Sequence, residues 1–394
     1  MNISIHDYDS RLASALKSLN RTAIPLKNKM LIIKFKDHSL TLGLSKARVI
    51  KYIYYLIKVA QWLGRDFETA SRSDIESVVS KIQASPYVDF SKMELRLTLR
   101  KFYKWLKGTE DYPPEVKWVP TKCNRRVKEI LPEDLLTLED IKKMSDAAKS
   151  ARDRAFVNVL YETGGRIQEV LTARIRNLQF DQYGARLRVD GRTGPRRVRI
   201  ISSVPYLTEW LNRHPHKDDP NAFIWLGKRH KHLGYNATAQ MLRRLAQLSG
   251  VKRRVNPHSF RHARATHLAN HLTEAQMKEY FGWFQASTMA SVYVHLSGRD
   301  VDKALLKLHG IKTDEQSEEK DILAPKKCIR CNTSNPASNK FCSLCGLPLD
   351  QQAAIGLIKD SLARKEADGI LDKMLDDPRF RQTFLDKARE LIQS

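Results

Sequence analysis

Residues 256–293 read NPHSFRHARATHLANHLTEAQMKEYFGWFQASTMASVY. The stretch opens on a helix-start signal: Asn256 suits an N-cap and Pro257 the first helical position. His258 and Arg261 then stand three residues apart, on one face of the first turn and a half. A phosphate placed there would face a helix N-terminus, an imidazole and a guanidinium together. Further on come Trp283, in a Phe-Gly-Trp turn, and Tyr293. The layout predicts a site where a tyrosine hydroxyl meets a phosphodiester under two basic groups.

Charge around this stretch points the same way. The 394-residue chain carries a net charge of +25, with 42% hydrophobic and 29% charged residues, the balance of a soluble globular protein long enough for two or three domains. From Ile311 onward there are 14 Lys/Arg and 14 Asp/Glu, so residues 1–310 hold the whole surplus, 55 basic against 30 acidic. A basic body of this size fits a long polyanion, because each phosphate neutralised releases counterions. No secretory signal and no apolar run of about 18 residues is visible, which predicts no membrane partner. Of five cysteines, four are clustered and Cys123 stands alone. That pattern is no secreted disulfide framework and predicts a reducing cytoplasm.

HSFRH, then FGW, then a tyrosine resembles the tyrosine recombinases (integrases), and in particular the archaeal Xer-like and proviral members, many of which carry a run much like GW…S.MASVYVHLSGRDVD. GGRIQEVL at 164–171 resembles the family's first arginine box. The resemblance covers roughly residues 10–310. It implies a mainly α fold with a small antiparallel sheet, built from a helical core-binding (SAM-like) domain and a tyrosine-recombinase catalytic domain. It also implies double-stranded DNA as partner, a homotetramer on two duplexes, and a nucleoid-associated location in the cytoplasm.

Upstream, residues 8–107 read as helices and form the expected core-binding domain. Ser45 caps a helix in which Val49, Ile53, Leu56, Ile57, Ala60 and Leu63 recur at helical spacing. A second helix starts near Ser73-Asp74, and a third runs about 91–107 with Lys92, Arg96, Arg100, Lys101 and Lys104, basic residues interleaving with Tyr54, Tyr55, Tyr103 and Trp105. Solvated amphipathic helices explain these residues on their own; a DNA clamp follows only with the downstream site in view. Residues 108–132, punctuated by Gly108, Pro113-Pro114, Pro120 and Pro132, read as a linker along the DNA, with Cys123 incidental.

Residues 133–310 form the expected catalytic domain. Thr137 and the early acids Glu139 and Asp140 open one helix, another ends at Gly164-Gly165, and Arg166 begins a third. At 178–201 the period changes to two, and Gly191-Arg-Thr-Gly194 joins a β-hairpin. His214, His216, His230 and His232 are compatible with a metal but read better as flexible basic loops. A helix spans 236–248, and one near 299–308 would pack on a neighbouring subunit, as the family implies. Residues 311–327 read as a tether.

Cys328, Cys331, Cys342 and Cys345 form two CxxC knuckles ten residues apart, suited to tetrahedral zinc, with Gly346 turning the second knuckle. Paired redox motifs are the alternative, disfavoured by the missing βαβ context. A structural zinc ribbon at 328–350 is expected, followed by charged amphipathic helices at 351–394.

Phosphodiester oxygens repel nucleophiles, and a tyrosine with a pKa near 10 is ionised about once in a thousand at neutral pH. Neighbours must supply charge and take the proton. By the family's pattern, Arg166 and Arg261 hold the nonbridging oxygens with planar donor forks. His258 accepts a proton or donates to the phosphate, Trp283 packs and donates from its indole, and Tyr293 attacks phosphorus. The link formed is a 3′-phosphotyrosyl ester with a free 5′-hydroxyl. It conserves the bond energy, so neither ATP nor a catalytic metal is expected. His262, His267 and His271 read as helix-surface residues or as support behind the site, and Glu169 as an internal partner for a helix or an arginine.

One departure stands out. Family members place a lysine in the hairpin turn as general acid for the leaving 5′-hydroxyl, and here Arg192 stands there. Arginine gives up a proton reluctantly, so Arg192 stabilises the departing oxyanion or Lys228 from another loop serves. A second departure, a Trp-to-Tyr spacing one residue longer than in bacterial relatives, matches the archaeal pattern. The main expectation is a recombinase that integrates or resolves DNA elements. A catalytically impaired zinc-ribbon DNA-binding protein is the alternative that Arg192 motivates, and a nicking and resealing enzyme resembling type IB topoisomerases is a third.

Overall fold

The computed structural model describes residues 5–122, 132–191, 193–296, 309 and 322–393, which divide into two units at 130/131. The first unit is helical: α1 (Tyr8–Arg21), α2 (Leu26–Thr41), α3 (Lys46–Leu63), α4 (Arg72–Ala84), α5 (Asp89–Lys107) and the short α6 (Pro114–Lys117). Ser45 caps α3 by accepting from the Arg48 N–H at 3.4 Å. Val49, Ile53, Leu56, Ile57 and Ala60 are buried on one face, as their spacing predicts. Helix α4 starts slightly earlier than its residues suggested, because Ser71 and Asp74 close a reciprocal capping box.

The interleaved face of α5 is less uniform than the sequence implied. Tyr103 is fully buried and donates to the Phe67 carbonyl at 3.2 Å, while the buried Arg96 bonds Gln83 Oε1 at 2.9 Å and the Lys122 carbonyl at 3.2 Å. Both therefore serve the unit's interior. In the stretch read as linker, Val116 and Val119 are buried in the same core, so part of it packs rather than connects. Residues 123–131, Cys123 included, lie outside the described residues.

In the second unit, α7 (Leu138–Ala147) precedes α8 (Ala151–Thr163), which is the spine of the unit. Ten of the thirteen α8 residues are buried, so the helix must be covered all round. It packs against α7 and, later in the chain, against α10 (Val204–Asn212), α12 (Pro257–Ala269) and strand β3 (Gly194–Ile200). Between these lie α9 (Ile167–Leu171), β1 (Leu178–Asp181) and β2 (Gly184–Gly191). The three strands form an antiparallel sheet in the order β1-β2-β3, with Leu187 opposite Val198 and Gly191 opposite Gly194. Alternation sends Ala185, Leu187, Val189, Val198 and Ile200 inward. Arg192, in the hairpin turn, lies outside the described residues.

Helices α11 (Tyr235–Leu248), α13 (Glu274–Phe281) and α14 (Met289–Leu296) complete the body. The segment around 212–232 is more tied down than a flexible loop. His214 is buried, its Nε2 lies 3.1 Å from the Phe223 carbonyl, and its Nδ1 accepts the His216 N–H at 3.1 Å. The helix expected near 299–308 and most of the tether (311–321) fall outside the described residues.

At the C-terminal end, β4 (Lys326–Lys327) pairs with β5 (Ser334–Asn335), followed by α15 (Gln351–Leu375) and α16 (Pro378–Gln393), both mostly exposed. No helix among the described residues is long and apolar enough to cross a membrane.

Candidate active site and metal centre

Two helix C-termini build the basic part of the site. Helix α8 ends at Gly164 in the left-handed conformation, and α13 ends at Gly282 likewise. Terminal carbonyls lack intrahelical partners and carry the negative end of the dipole. Arg261 spans both ends, with Nη1 donating to the Gly164 carbonyl at 2.9 Å and Nη2 to the Phe281 carbonyl at 2.7 Å. Arg166, the N-cap of α9, donates from Nη2 to the Gly282 carbonyl at 3.1 Å. Glycine is required at Gly164 twice over: φ is +51°, and a Cβ would lie 2.5 Å from the Phe281 ring. Burial, aided by Arg166, pushes the Arg261 guanidinium down to about 10, still charged at neutral pH.

Glu169 joins these arginines to the sheet. It accepts the Arg166 N–H at 2.9 Å and Arg166 Nη1 at 3.0 Å. Arg196 of β3 grips it bidentately, at 3.0 and 2.6 Å, and also donates from Nε to the Tyr280 carbonyl at 2.9 Å. Burial pushes the Glu169 carboxyl up, but the Arg196 and Arg166 contacts more than offset this and hold it below the usual carboxylate range. An ionised Glu169 thus fixes the direction of Arg166. Sequence reading anticipated an internal role for Glu169 but did not single out Arg196, whose partner lies 27 residues away.

Helix α12 supplies the imidazoles. Asn256 caps it as its sequence predicts, accepting from the His258 and Ser259 N–H groups at 2.9 and 3.1 Å. Burial, then Arg261 and Arg166, hold His258 below its ordinary value, so it is neutral at pH 7. Ala265 and Ala269 let α14 approach closely, which brings Tyr293 into the same cluster. The Tyr293 hydroxyl lies 2.5 Å from His262 Nδ1. Its ring stacks on Trp283, with centroids 5.5 Å apart and planes within 3° of parallel. Arg261 lies 5.1 Å from the Phe281 ring centroid and 5.5 Å from that of Trp283. Burial pushes the Tyr293 hydroxyl up to about 12, with Arg261 pulling the other way, so the two groups sense each other's charge.

Arg166, His258, Arg261, Trp283 and Tyr293, scattered over 128 residues, therefore come together in one unit. Arg192 lies outside the described residues, and its neighbour Thr193 donates to the Gly282 carbonyl at 3.2 Å. Lys228 begins a tight turn (Lys228–His230) in which Arg229 and His230 both have positive φ. His262 was not selected from sequence, and its only local signal was its position one turn after His258. His267 bonds the Tyr161 hydroxyl at 2.8 Å instead.

Chemically, the cluster offers fixed guanidiniums for an anion, neutral imidazoles for a proton, and a hydroxyl already paired with one of them. Burial also keeps His262 low, reinforced by His258 and Arg261, so at neutral pH it is an acceptor rather than an imidazolium.

The four C-terminal cysteines converge as well. Their sulfurs lie within 4.8 Å of one another, the one such group of His, Cys, Asp or Glu among the described residues, so the four histidines of 214–232 make no comparable set. The two knuckles are alike: Asn332 and Gly346, both with positive φ, return N–H bonds of 2.9 Å to the carbonyls of Cys328 and Cys342. N–H groups of Cys345 and Leu344 aimed at Cys342 pull its thiol down to about 6. A four-cysteine donor set of this kind fits a structural metal ion.

Comparison with known proteins bears on the unit that holds the arginine and tyrosine cluster. Residues 134–299 match the model of the phage integrase family. The chain is 22% identical over 289 residues to the tyrosine recombinase XerD of Bifidobacterium longum, covering 68% of this chain and 92% of that protein. It is 25% identical over 269 residues to the tyrosine recombinase XerA of Pyrococcus furiosus, covering 67% and 88%. Among solved structures, it resembles the XerH site-specific recombinase in its post-cleavage complex with palindromic difH substrate, with a TM-score of 0.53 at 17% identity over 79% of this chain and 99% of that one. It also resembles a lambda integrase tetramer bound to a Holliday junction, with a TM-score of 0.54 at 16% identity over 69% and 78%. At such identities the likeness to solved structures speaks for the fold.

Proposed function

The chain belongs to the tyrosine recombinase (phage integrase) family, and from that premise we propose that it cleaves and rejoins duplex DNA at specific sites through a covalent 3′-phosphotyrosyl intermediate on Tyr293. One observation carries the residue assignment. The buried hydroxyl of Tyr293 rests on His262 beside two arginines whose forks are fixed by helix ends and by Glu169.

Arg261 and Arg166 hold the nonbridging oxygens and offset the charge that builds on them. With the His262 ring protonated at Nε2, Nδ1 takes the tyrosine proton as Oη bonds to phosphorus. The P–O5′ bond breaks, the 5′-oxygen leaves as a hydroxyl, and Arg192 or Lys228 stabilises or protonates it. His258 supports the phosphate, and Trp283 fixes the tyrosine ring by stacking. A second 5′-hydroxyl then attacks, releasing Tyr293 and returning its proton. No nucleotide or catalytic metal enters.

His262→Ala is expected to slow adduct formation about 10²- to 10⁴-fold, the usual contribution of a positioned base. In the unaltered protein the rate should hold down through the ordinary histidine range and fall only at more acidic pH, because a protonated imidazole cannot accept and burial lowers both His262 and His258. A pH–rate profile of single-turnover adduct formation checks both.

We further assign the cysteine set to one structural zinc. Cys342→Ser should lower bound zinc from one per chain to none, measured by elemental analysis, while adduct formation persists. A homotetramer on two duplexes is the expected working assembly, and the long Trp283–Tyr293 spacing supports placement with archaeal Xer-like members.

The deciding experiment traps adducts of the full chain on genomic DNA under denaturing conditions and sequences the attached ends. Recurrent ends support a site-specific recombinase. DNA binding without any adduct would instead favour the catalytically impaired reading.

A further inference from the structure

The exposed face of the three-stranded sheet carries charge that its own fold does not use. Arg188 of β2 stands directly opposite Arg197 of β3, and Arg186 opposite Arg199. Like charges paired across strands destabilise a sheet. Arg186 and Arg199 share Asp181, at 3.7 and 2.7 Å. Arg188 and Arg197 have no acidic partner among the described residues. With Arg186, Gln179, Asn177 and Arg176, which is held by Asn221 Oδ1 at 2.6 Å, they line one cleft. It holds about 160 Å³, below the roughly 300–1,000 Å³ of small-molecule sites. Planar guanidiniums, of which only Arg186 has a carboxylate beside it, on an open face match a phosphate backbone.

The position of this cleft gives it a distinct role. Strand alternation turns Arg196, next to Arg197, to the opposite face, where it grips Glu169 and through it Arg166. The cleft and the catalytic cluster therefore lie on opposite faces of one sheet, and a phosphate held at one is not the phosphate held at the other.

We propose that this arginine cleft binds the backbone of a second stretch of duplex DNA, away from the phosphate being cleaved. The proposal rests on the DNA reading above. The stretch is either flanking DNA of the same duplex or part of a second duplex.

The test measures binding of the full chain to random-sequence duplexes of about 15 and about 45 base pairs, at KCl from 50 to 200 mM, by fluorescence anisotropy. The variant Arg188→Ser/Arg197→Ser is compared with Lys359→Ser/Arg364→Ser, which removes the same charge from exposed α15. Each lost phosphate contact lowers the slope of log K against log salt by about 0.9. The arginine variant should therefore lose about 12-fold less affinity across that range than the unaltered chain, at an unchanged or slightly higher thermal midpoint. A change confined to the long duplex identifies flanking DNA. A change at both lengths, with the unaltered chain binding two short duplexes, identifies a second duplex. An unchanged slope, or an equal change in the α15 variant, overturns the proposal while leaving the recombinase reading intact. Failure of the unaltered chain to bind any duplex would overturn both.

Discussion

Tyr293→Phe is expected to abolish covalent protein–DNA adducts while leaving DNA binding and the fold in place. The substitution removes one oxygen. The ring that stacks on Trp283 stays, and so does its packing against α12. The lost hydrogen bond to His262 is worth about 1 kcal/mol of stability, so the thermal midpoint should move by only a few degrees. Chemistry, by contrast, loses the nucleophile proposed for it. In the structure the hydroxyl sits near 12 because burial disfavours the phenolate, so the free anion is present in only about one molecule in 10⁵ at neutral pH. In the proposed mechanism, attack therefore depends on proton transfer to His262 as the bond to phosphorus forms. Residual adducts mapping to another tyrosine in the Phe variant would remove Tyr293 from the mechanism, whereas complete loss with normal duplex binding supports it.

Much of this was legible in the sequence because it is written locally. The caps Ser45, Thr137 and Asn256 are local signals, and each holds in the structure. The period change at 178–201 is local too, and the hairpin lies where it predicts. The CxxC spacing brings four sulfurs together because two short knuckles need little else. What escaped was everything set by packing between distant segments. Tyr103 and Arg96 look like parts of a basic surface until the fold turns them inward. His262 looked like one of several helix histidines because the hydroxyl it meets is 31 residues away, on a helix delivered by the small residues of α12. Arg196 is one arginine among many in β3, and only strand alternation and the nearness of α9 turn it onto Glu169. The arginine pairs on the other face follow from the exact cross-strand register, which a hairpin signal alone leaves open.

Arg261→Lys is expected to cost on the order of 3–4 kcal/mol of barrier, a drop of about 10²- to 10³-fold in adduct formation, by analogy with the loss of one preorganised donor. Charge is conserved in this variant, so the argument rests on geometry. The guanidinium reaches the ends of α8 and α13 at once because its two terminal nitrogens lie in one rigid plane. A lysine ammonium is a single point on a flexible stem and can satisfy one of those carbonyls at a time. The other is then left buried without a donor, at roughly 1–3 kcal/mol. Thermal unfolding should register that loss, which sets Arg261→Lys apart from Tyr293→Phe, where stability barely moves. Arg166→Lys provides the internal comparison. Its side chain is about one-third exposed and is backed by Glu169, so it should lose adduct formation with a smaller fall in midpoint. If Arg261→Lys formed adducts at the unaltered rate, a diffuse positive potential would suffice at this position. The fixed fork between two helix ends would then be scaffolding for the fold alone.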